Sequence, residues 1–345
     1  MKHEKGAVGA DGRGRRLAGR RRCLMMIAAA AAWVAPASWV QAATSTPVWP
    51  QRVTLIVPYA AGGVTDRLTR ALASRLGQRT GSTFIVDNKP GGGTVIGTAA
   101  AARAPADGAT LLVTSFGFIG NQLMLSSLPY DPKALSPLAL MGESTGVLYV
   151  HPSVPANNVA ELARWMRAQS QPTNFASSGN GSSVHVMAEL FASGVGAPIV
   201  HVPYKGNAPG LMALIGGQVQ AMFDSAGAMA HVRDGRLRAL AVSTARRSSL
   251  VADLPTVAES GEPGLKGFDA GSWFGVFVPA GVDAVRQSRM HADIAAVMAQ
   301  PDMKDETLRT GVEPRQLSQQ GFAEFLDRQR SNWGPVIREK RIRPD

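Results

Sequence analysis

Cysteine, aromatic side chains and clustered metal ligands are all scarce in this chain. Cys23 is the only cysteine among 345 residues. Beyond it there is no thiol for a disulfide, a zinc finger or an iron–sulfur cluster. Five histidines follow the N-terminal region, at positions 151, 185, 201, 231 and 291, one at a time and without H-E-x-x-H spacing, so no metal site is expected. No G-x-S-x-G pentapeptide occurs, which removes the usual strained elbow of a serine hydrolase. Aromatic residues make up 6% of the chain and do not alternate with a basic run, so nucleic acid is not an expected partner. The triple glycine Gly91-Gly92-Gly93 suggests a phosphate loop, but the spacing refuses it. G-x-G-x-x-G would need glycine where Ile96 stands, and a P-loop would need lysine where Thr98 stands. No cofactor is expected.

The formal net charge is +11, and it is unevenly placed. Residues 1–42 carry eight Lys or Arg against two Asp or Glu, a net of +6, which leaves +5 for the rest. That N-terminal stretch reads as an export signal: a basic region to Arg22, an apolar segment from Cys23 to about Val40, and small or aliphatic residues suited to cleavage after Ala42. The expected destination is the periplasm. Whether export uses the general or the twin-arginine route stays open.

The remainder alternates short apolar runs with Gly/Ser-rich loops and helical periodicity. Arg52 to Pro58, Phe84 to Val86, Thr110 to Thr114, Leu138 to Met141, Val147 to Val150, Val200 to Pro203, Gln218 to Phe223, Leu237 to Val242 and Trp273 to Val278 read as strands. Leu68, Leu72 and Leu76 mark a helix expected to stop at Gly77. Other helices are expected over Ile96 to Ala102, Val159 to Met166, after Val184, from Pro209, and over Val285 to Ala299, Met303 to Arg309 and Phe322 to Ile337. Strand, loop, helix in repetition means α/β with mainly parallel sheets, whose ligands bind beyond the carboxyl ends of the strands.

One stretch stands out. After Phe175-Ala176 come Ser177-Ser178-Gly179-Asn180-Gly181-Ser182-Ser183, then Val184, Met187, Ala188 and Phe191 at helical spacing. A loop of this kind presents backbone N–H groups, hydroxyls and the positive end of a helix dipole, which suit a carboxylate. Tyr204-Lys205-Gly206-Asn207 is a second small-residue turn, and residues 59–66 and 87–94 are equivalent loops earlier in the chain. A catalytic alternative uses Ser183 or Ser178 as nucleophile and His185 as base; the other reading gives His185 only local hydrogen bonds. Asp66 has two readings as well, ligand contact or helix-start carboxylate.

The ordered motifs VPYAAGGVTD (57–66), NKPGGGTVIG (88–97), ASSGNGSSVH (176–185), HVPYKG (201–206), LRALAVST (237–244), LPTVAESG (254–261) and WFGVFVPAG (273–281) resemble the Bug, or TctC-like, family of periplasmic solute-binding proteins of tripartite tricarboxylate transporters. The resemblance covers roughly residues 48–340. It implies a two-lobed Venus-flytrap α/β architecture, with residues 48–145 plus 265–345 as lobe one and 146–264 as lobe two. It also implies no catalysis, a small carboxylate ligand, transporter membrane subunits or a sensor as partners, and a monomer. By motif match, the implied ligand-binding residues are Tyr59, Gly63 and Asp66, with Gly92, Gly93 and Thr94 of the second motif. On the other lobe they are Ser178, Gly179, Ser182, Ser183, His185 and Tyr204. Asp224 falls near the cleft wall, and Ser115 and Phe116 on a variable loop expected to set ligand choice. Three positions depart from the family pattern: Val95 where asparagine is usual, Ser182 where threonine is usual, and Ser225 where asparagine is frequent.

Overall fold

The computed structural model describes residues 48–344; the expected signal segment and its cleavage point lie outside them. The elements run β1 (Arg52–Val57), α1 (Val64–Thr80), β2 (Thr83–Asn88), α2 (Val95–Ala102), β3 (Thr110–Thr114), α3 (Gly117–Met124), β4 (Leu135–Ser144), β5 (Val147–Val150), α4 (Val159–Ala168), β6 (Thr173–Ser177), α5 (Ser183–Val195), β7 (Ile199–Pro203), α6 (Asn207–Ile215), β8 (Ala221–Asp224), α7 (Met229–Arg233), β9 (Arg238–Val242), β10 (Ser272–Pro279), α8 (Ala284–Met298), α9 (Pro301–Arg309), β11 (Glu313–Pro314) and α10 (Gln319–Glu339).

The strands form two sheets, ordered β11-β4-β10-β3-β1-β2 and β7-β6-β8-β5-β9. The α/β, two-sheet architecture is as the sequence implied, but the sheets are mixed rather than mainly parallel. β1 pairs in parallel with β2 and β3, and β6 with β7 and β8, each through a helical crossover. β10 is antiparallel to both β3 and β4, and β5 is antiparallel to both β8 and β9. The cause is connectivity. β5 and β10 each enter a sheet from the other sheet, with no helix to reverse them, so they run against their neighbours.

Each sheet is covered on both faces. Leu68, Leu72 and Leu76 of α1 pack with Met290 and Ile294 of α8 on one side of the first sheet, and Phe118 of α3 packs with Phe322 and Phe325 of α10 on the other. Val184, Met187 and Phe191 of α5 lie under the second sheet with Leu162 of α4, Leu265 and Ala270. Two local expectations need correction. α1 passes through Gly77 and ends only at Thr80, where Gly81 takes the left-handed conformation (φ 74°) that closes a helix. The eight-residue α3 was not anticipated, because Gly117 and Gly120 blur its periodicity. Asn158 caps α4, its side chain accepting the N–H of Glu161 at 2.8 Å.

Gly275 of β10 shows how tightly the first sheet is packed. A Cβ there would lie 2.4 Å from Cζ of Phe322, a buried ring boxed in by Trp273, Phe277 and Phe325. Gly275→Ala should therefore cost about 1–3 kcal/mol of folding free energy through overpacking. Urea unfolding should show a lower midpoint at unchanged slope; an unshifted midpoint would mean that the ring moves aside freely.

Candidate functional site

Strand register decides where the loops point. Thr114, the last residue of β3, lies opposite Gly275, and Ser144, the last of β4, lies opposite Ser272, the first of β10. The loops that leave β1, β2 and β3 therefore emerge level with the start of β10. In the second sheet Val147, the first residue of β5, lies opposite both Asp224 and Val242, the last residues of β8 and β9. The loops that leave β6, β7 and β8 emerge level with the start of β5. The chain crosses between the sheets at Thr145-Gly146 and returns at Ala270-Gly271, so both loop-bearing edges face the same crossing. Buried Ser243 ties it together: its N–H donates to the Gly146 carbonyl (2.7 Å), its Oγ accepts from the Gly146 N–H (3.0 Å), and its carbonyl accepts from the Ala270 N–H (2.9 Å).

On the first sheet, Tyr59, Thr94, Ser115 and Phe116 come together. The Tyr59 hydroxyl accepts the Ser115 N–H at 3.3 Å. Burial pushes its pKa up, against hydrogen bonds that lower it, so it is a neutral phenol. Thr94 holds a left-handed φ of 84°, a conformation that costs a side-chain-bearing residue of order 1–3 kcal/mol. Asn121 of α3 pins it, donating to Thr94 Oγ1 at 3.0 Å and to the Gly93 carbonyl at 2.7 Å. The adjoining Gly63, Gly92 and Gly93 are exposed. Phe116 is buried, its ring 4.3 Å from that of Trp333; it packs inward instead of lining an opening. Asp66 is 2% exposed and already engaged. Its Oδ2 accepts from the Gly62 N–H (2.9 Å) and Arg70 Nε (3.0 Å), and Arg70 Nη2 stands 3.0 Å from Oδ1. Burial alone would raise its pKa, but Arg70, Gly62 and Asn88 outweigh it and hold the carboxyl below its usual value. Asp66 thus folds the β1–α1 loop, and its charge is cancelled beside the gap.

On the second sheet, the loop from Ser177 to Ser183 is laced internally. Ser177 Oγ lies 2.5 Å from His201 Nε2 and accepts the Gly179 N–H at 3.1 Å. Ser182 caps α5: its Oγ accepts the His185 N–H at 3.3 Å and donates to the Gly179 carbonyl at 2.7 Å. His185 Nδ1 accepts the Gly181 N–H at 3.1 Å, and its ring stacks on His201 with centroids 3.4 Å apart. An Nδ1 that accepts a backbone N–H carries no proton there. Ser178 and Gly179 are half-buried in the same loop. Tyr204 is half-buried beside it, its N–H donating to the Ser177 carbonyl at 3.0 Å, whereas Lys205 is exposed. Asp224 is 6% exposed; its Oδ1 accepts from Asn207 Nδ2 (2.5 Å) and the Ser225 N–H (2.7 Å), and burial pushes its pKa up.

The hydrolase alternative fails on this geometry. Ser183 Oγ accepts from Ser272 Oγ at 3.0 Å, while the His185 nitrogen nearest the loop is occupied by Gly181. His185 is a strut of the loop, the local role weighed for it from sequence. Reading the sequence missed Ser177, His201, Asn121 and Asn207, which hold the loops in place. Ser177 and His201 are 24 residues apart, so no local motif announces the pair; only Arg70, one helical turn from Asp66, had a visible spacing. Among the described residues no group of three or more His, Cys, Asp or Glu side chains could hold a metal ion.

The two loop clusters meet around the crossing. Phe116 and Met124 from the first share a buried apolar cluster with Val186 from the second, and Ser272 touches Ser183. Comparison with known proteins agrees with this arrangement. The family described as "Tripartite tricarboxylate transporter family receptor" matches residues 68–342. BugT of Bordetella pertussis is 33% identical over 306 residues, covering 87% of this chain and 93% of its own. A UPF0065 protein of Pseudomonas sp. strain P51 is 30% identical over 326 residues, covering 94% and 95%. An R. palustris protein solved with adipate is 32% identical, with a TM-score of 0.70 over 85% of this chain and 98% of that one. MatC from Rhodopseudomonas palustris, solved with malate, is 27% identical with a TM-score of 0.66, over 83% and 98%. The chain belongs to the tripartite tricarboxylate transporter receptor family, whose members are solute-binding proteins and not enzymes.

Proposed function

We propose that this protein captures a small carboxylate-bearing solute in the gap between its two loop-bearing sheet edges. The observation that carries the reading is the shared crossing: strand register turns the loops after β1, β2 and β3 and those after β6, β7 and β8 toward it. The adipate- and malate-bound relatives support the ligand class. Residues 48–145 with 265–345 form one lobe and residues 146–264 the other; because Leu265 and Ala270 pack in the second sheet's cluster, the return is better drawn near Gly271. After removal of residues 1–42 near Ala42 the protein works as a periplasmic monomer, delivering its ligand to the membrane subunits of a tripartite tricarboxylate-type transporter or to a sensor.

The ligand's charge meets neutral donors. Arg70 is spent on Asp66 and Lys205 is exposed, so backbone N–H groups at the start of α5 and nearby hydroxyls replace the lost hydration. Ser183 accepts from Ser272, which leaves its own proton free to donate. The Tyr204 hydroxyl and the Tyr59 phenol are donors of the same kind. Asp66 and Asp224 act from behind, as the anchors of the β1–α1 and β8 loops.

Two outcomes test this. Ser183→Ala combined with Tyr204→Phe removes two hydroxyls, each worth about 1–2 kcal/mol to a charged acceptor. Calorimetry with the best acid from a thermal-shift screen of di- and tricarboxylates, amino acids and aromatic acids should give a roughly 30- to 1000-fold weaker Kd at unchanged melting temperature; an unchanged Kd removes these residues from the site. A panel of ester and amide substrates should show saturable binding at most and no turnover. Turnover that disappears in Ser183→Ala would restore the hydrolase reading.

A further inference from the structure

Glu313 sits on the edge strand β11, opposite Glu143 of β4. Its carboxylate reaches out of its own sheet. Oε1 accepts from Ser248 Oγ (2.8 Å), Ser249 N–H (2.5 Å), Ser249 Oγ (2.7 Å) and Leu250 N–H (3.4 Å). These donors belong to the segment after β9. Ser248 caps the turn Ser249–Val251, and Val251 is buried in the second sheet's cluster with Val147, Met222 and Val242. A carboxylate of the first sheet therefore closes the start of a turn that belongs to the second. Beside it Glu143 of the first sheet binds Arg315 and stands 4.0 Å from Arg246 of the second.

The side of the crossing on which this happens matters. In the first sheet β4 and β10 carry the crossing, β3, β1 and β2 lie to one side of them, and β11 alone lies on the other. In the second sheet β5 and β9 carry it, and β8, β6 and β7 lie to one side. The ligand loops are all on one flank of the hinge, and Glu313 with Ser248 and Ser249 is on the opposite flank. A rotation that narrows the gap at the loops must widen the flank at β11. A contact already at 2.5–2.8 Å does not compress further, so it is an end-stop. The contact resists rotation in the opening sense, and rotation in the closing sense stretches the bonds to Glu313. A cavity of about 530 Å³, lined by Glu143, Thr145, Thr244, Arg246 and Arg315, adjoins the contact and lets water solvate the groups as they part.

We propose that Glu313 is a positioning residue that sets ligand affinity from across the hinge. It latches the lobes at the wide limit, touches no ligand, and must let go for closure. This rests on the cleft reading given above. Because apparent affinity scales with the fraction of molecules able to close, a latch on the opposite flank weakens binding, and its loss tightens it. A contact that merely held the fold together would have the reverse sign.

The test compares wild type, Glu313→Ala, and the double variant Ser248→Ala with Ser249→Ala, which takes away the two hydroxyl donors from the other lobe and keeps the Ser249 and Leu250 N–H groups. Small-angle X-ray scattering is measured without ligand, and adipate and malate are titrated by calorimetry. Glu313→Ala should scatter as more compact than wild type and bind whichever acid wild type binds about fivefold or more tightly, and the serine pair should shift both readings in the same sense by less. Scattering unchanged from wild type overturns the latch, as does weaker binding by a variant with native circular dichroism. Should Glu313→Ala fail to fold, the serine pair decides. If neither acid binds any of the three proteins, compaction of the ligand-free variants still decides the latch, and only the carboxylate reading falls.

Discussion

The buried Ser243 is the joint on which the rest of the structure depends. One residue binds the outgoing chain at Gly146 twice and the returning chain at Ala270 once. Without that three-way tie the two connections between the sheets would be independent tethers, free to slide past each other. With it they form a single narrow hinge, and the level of each strand end is fixed relative to the other sheet. Gly146 has little room to vary, since a Cβ there would lie 2.9 Å from Ser243 Oγ and 3.1 Å from Met187 Sδ. Geometry at the crossing is thereby transmitted to α5, whose first turn ends the loop from Ser177 to Ser183.

A cleft proposed for an anion puts strict demands on its surroundings. Burying a carboxylate is costly unless hydrogen-bond donors replace its water. Any uncompensated negative charge nearby would add to that cost. Two aspartates stand at the edge of the gap, and each is neutralised or shielded by a different device. Asp66 is matched by Arg70 one turn along α1, and Asp224 is buried and held by Asn207 and the Ser225 N–H. His185 has a structural part in the same loop: its Nδ1 accepts the Gly181 N–H and its ring stacks on His201. A charged lysine in place of these dipoles would bind anions more tightly but would discriminate less among them, whereas oriented N–H groups read the position of each oxygen.

Much of this was legible before any coordinates. The strand–loop–helix rhythm carries the fold class, and the same rhythm puts the glycine- and serine-rich loops at strand ends, where such residues also serve simply to cap helices. The motif order carried the family. Strand order and direction were another matter: β5 and β10 look like any apolar run, and their antiparallel sense comes from where the chain enters the sheet, a long-range fact. Gly77 looked like a helix stop because glycine commonly ends helices, but Gly81 lay four residues on and had the better position for it. Phe116 falls on the variable loop that the resemblance gives to ligand choice, and no local pattern reveals that its ring packs on Trp333, more than two hundred residues later. The residues that hold the loops, among them His201 and Asn121, carry no local signature at all.

The hinge is also lined by a third connection. α10 runs along both lobes, and its Trp333, Val336 and Ile337 share one apolar cluster with Phe116 and Met124 of the first and Val186 of the second. Beyond α10 the chain turns at Arg341, Ile342 joins that cluster, and Pro344 comes to lie against Gly181. Gly181 has φ 69°, and a Cβ there would meet Pro344 Cα at 2.9 Å, so glycine is required twice over, by backbone conformation and by space. The contact has a mechanical meaning. Gly181 gives its N–H to His185, so the C-terminal segment of one lobe lies against the turn that leads into α5 of the other. Apolar contacts of this kind are non-directional and tolerate sliding, and the unbranched Met124 adapts as they slide. Hydrogen bonds such as those of Glu313 are directional and break at short displacement. A hinge lined by grease on one flank and by a hydrogen-bonded stop on the other rotates smoothly in one sense and is checked in the opposite one.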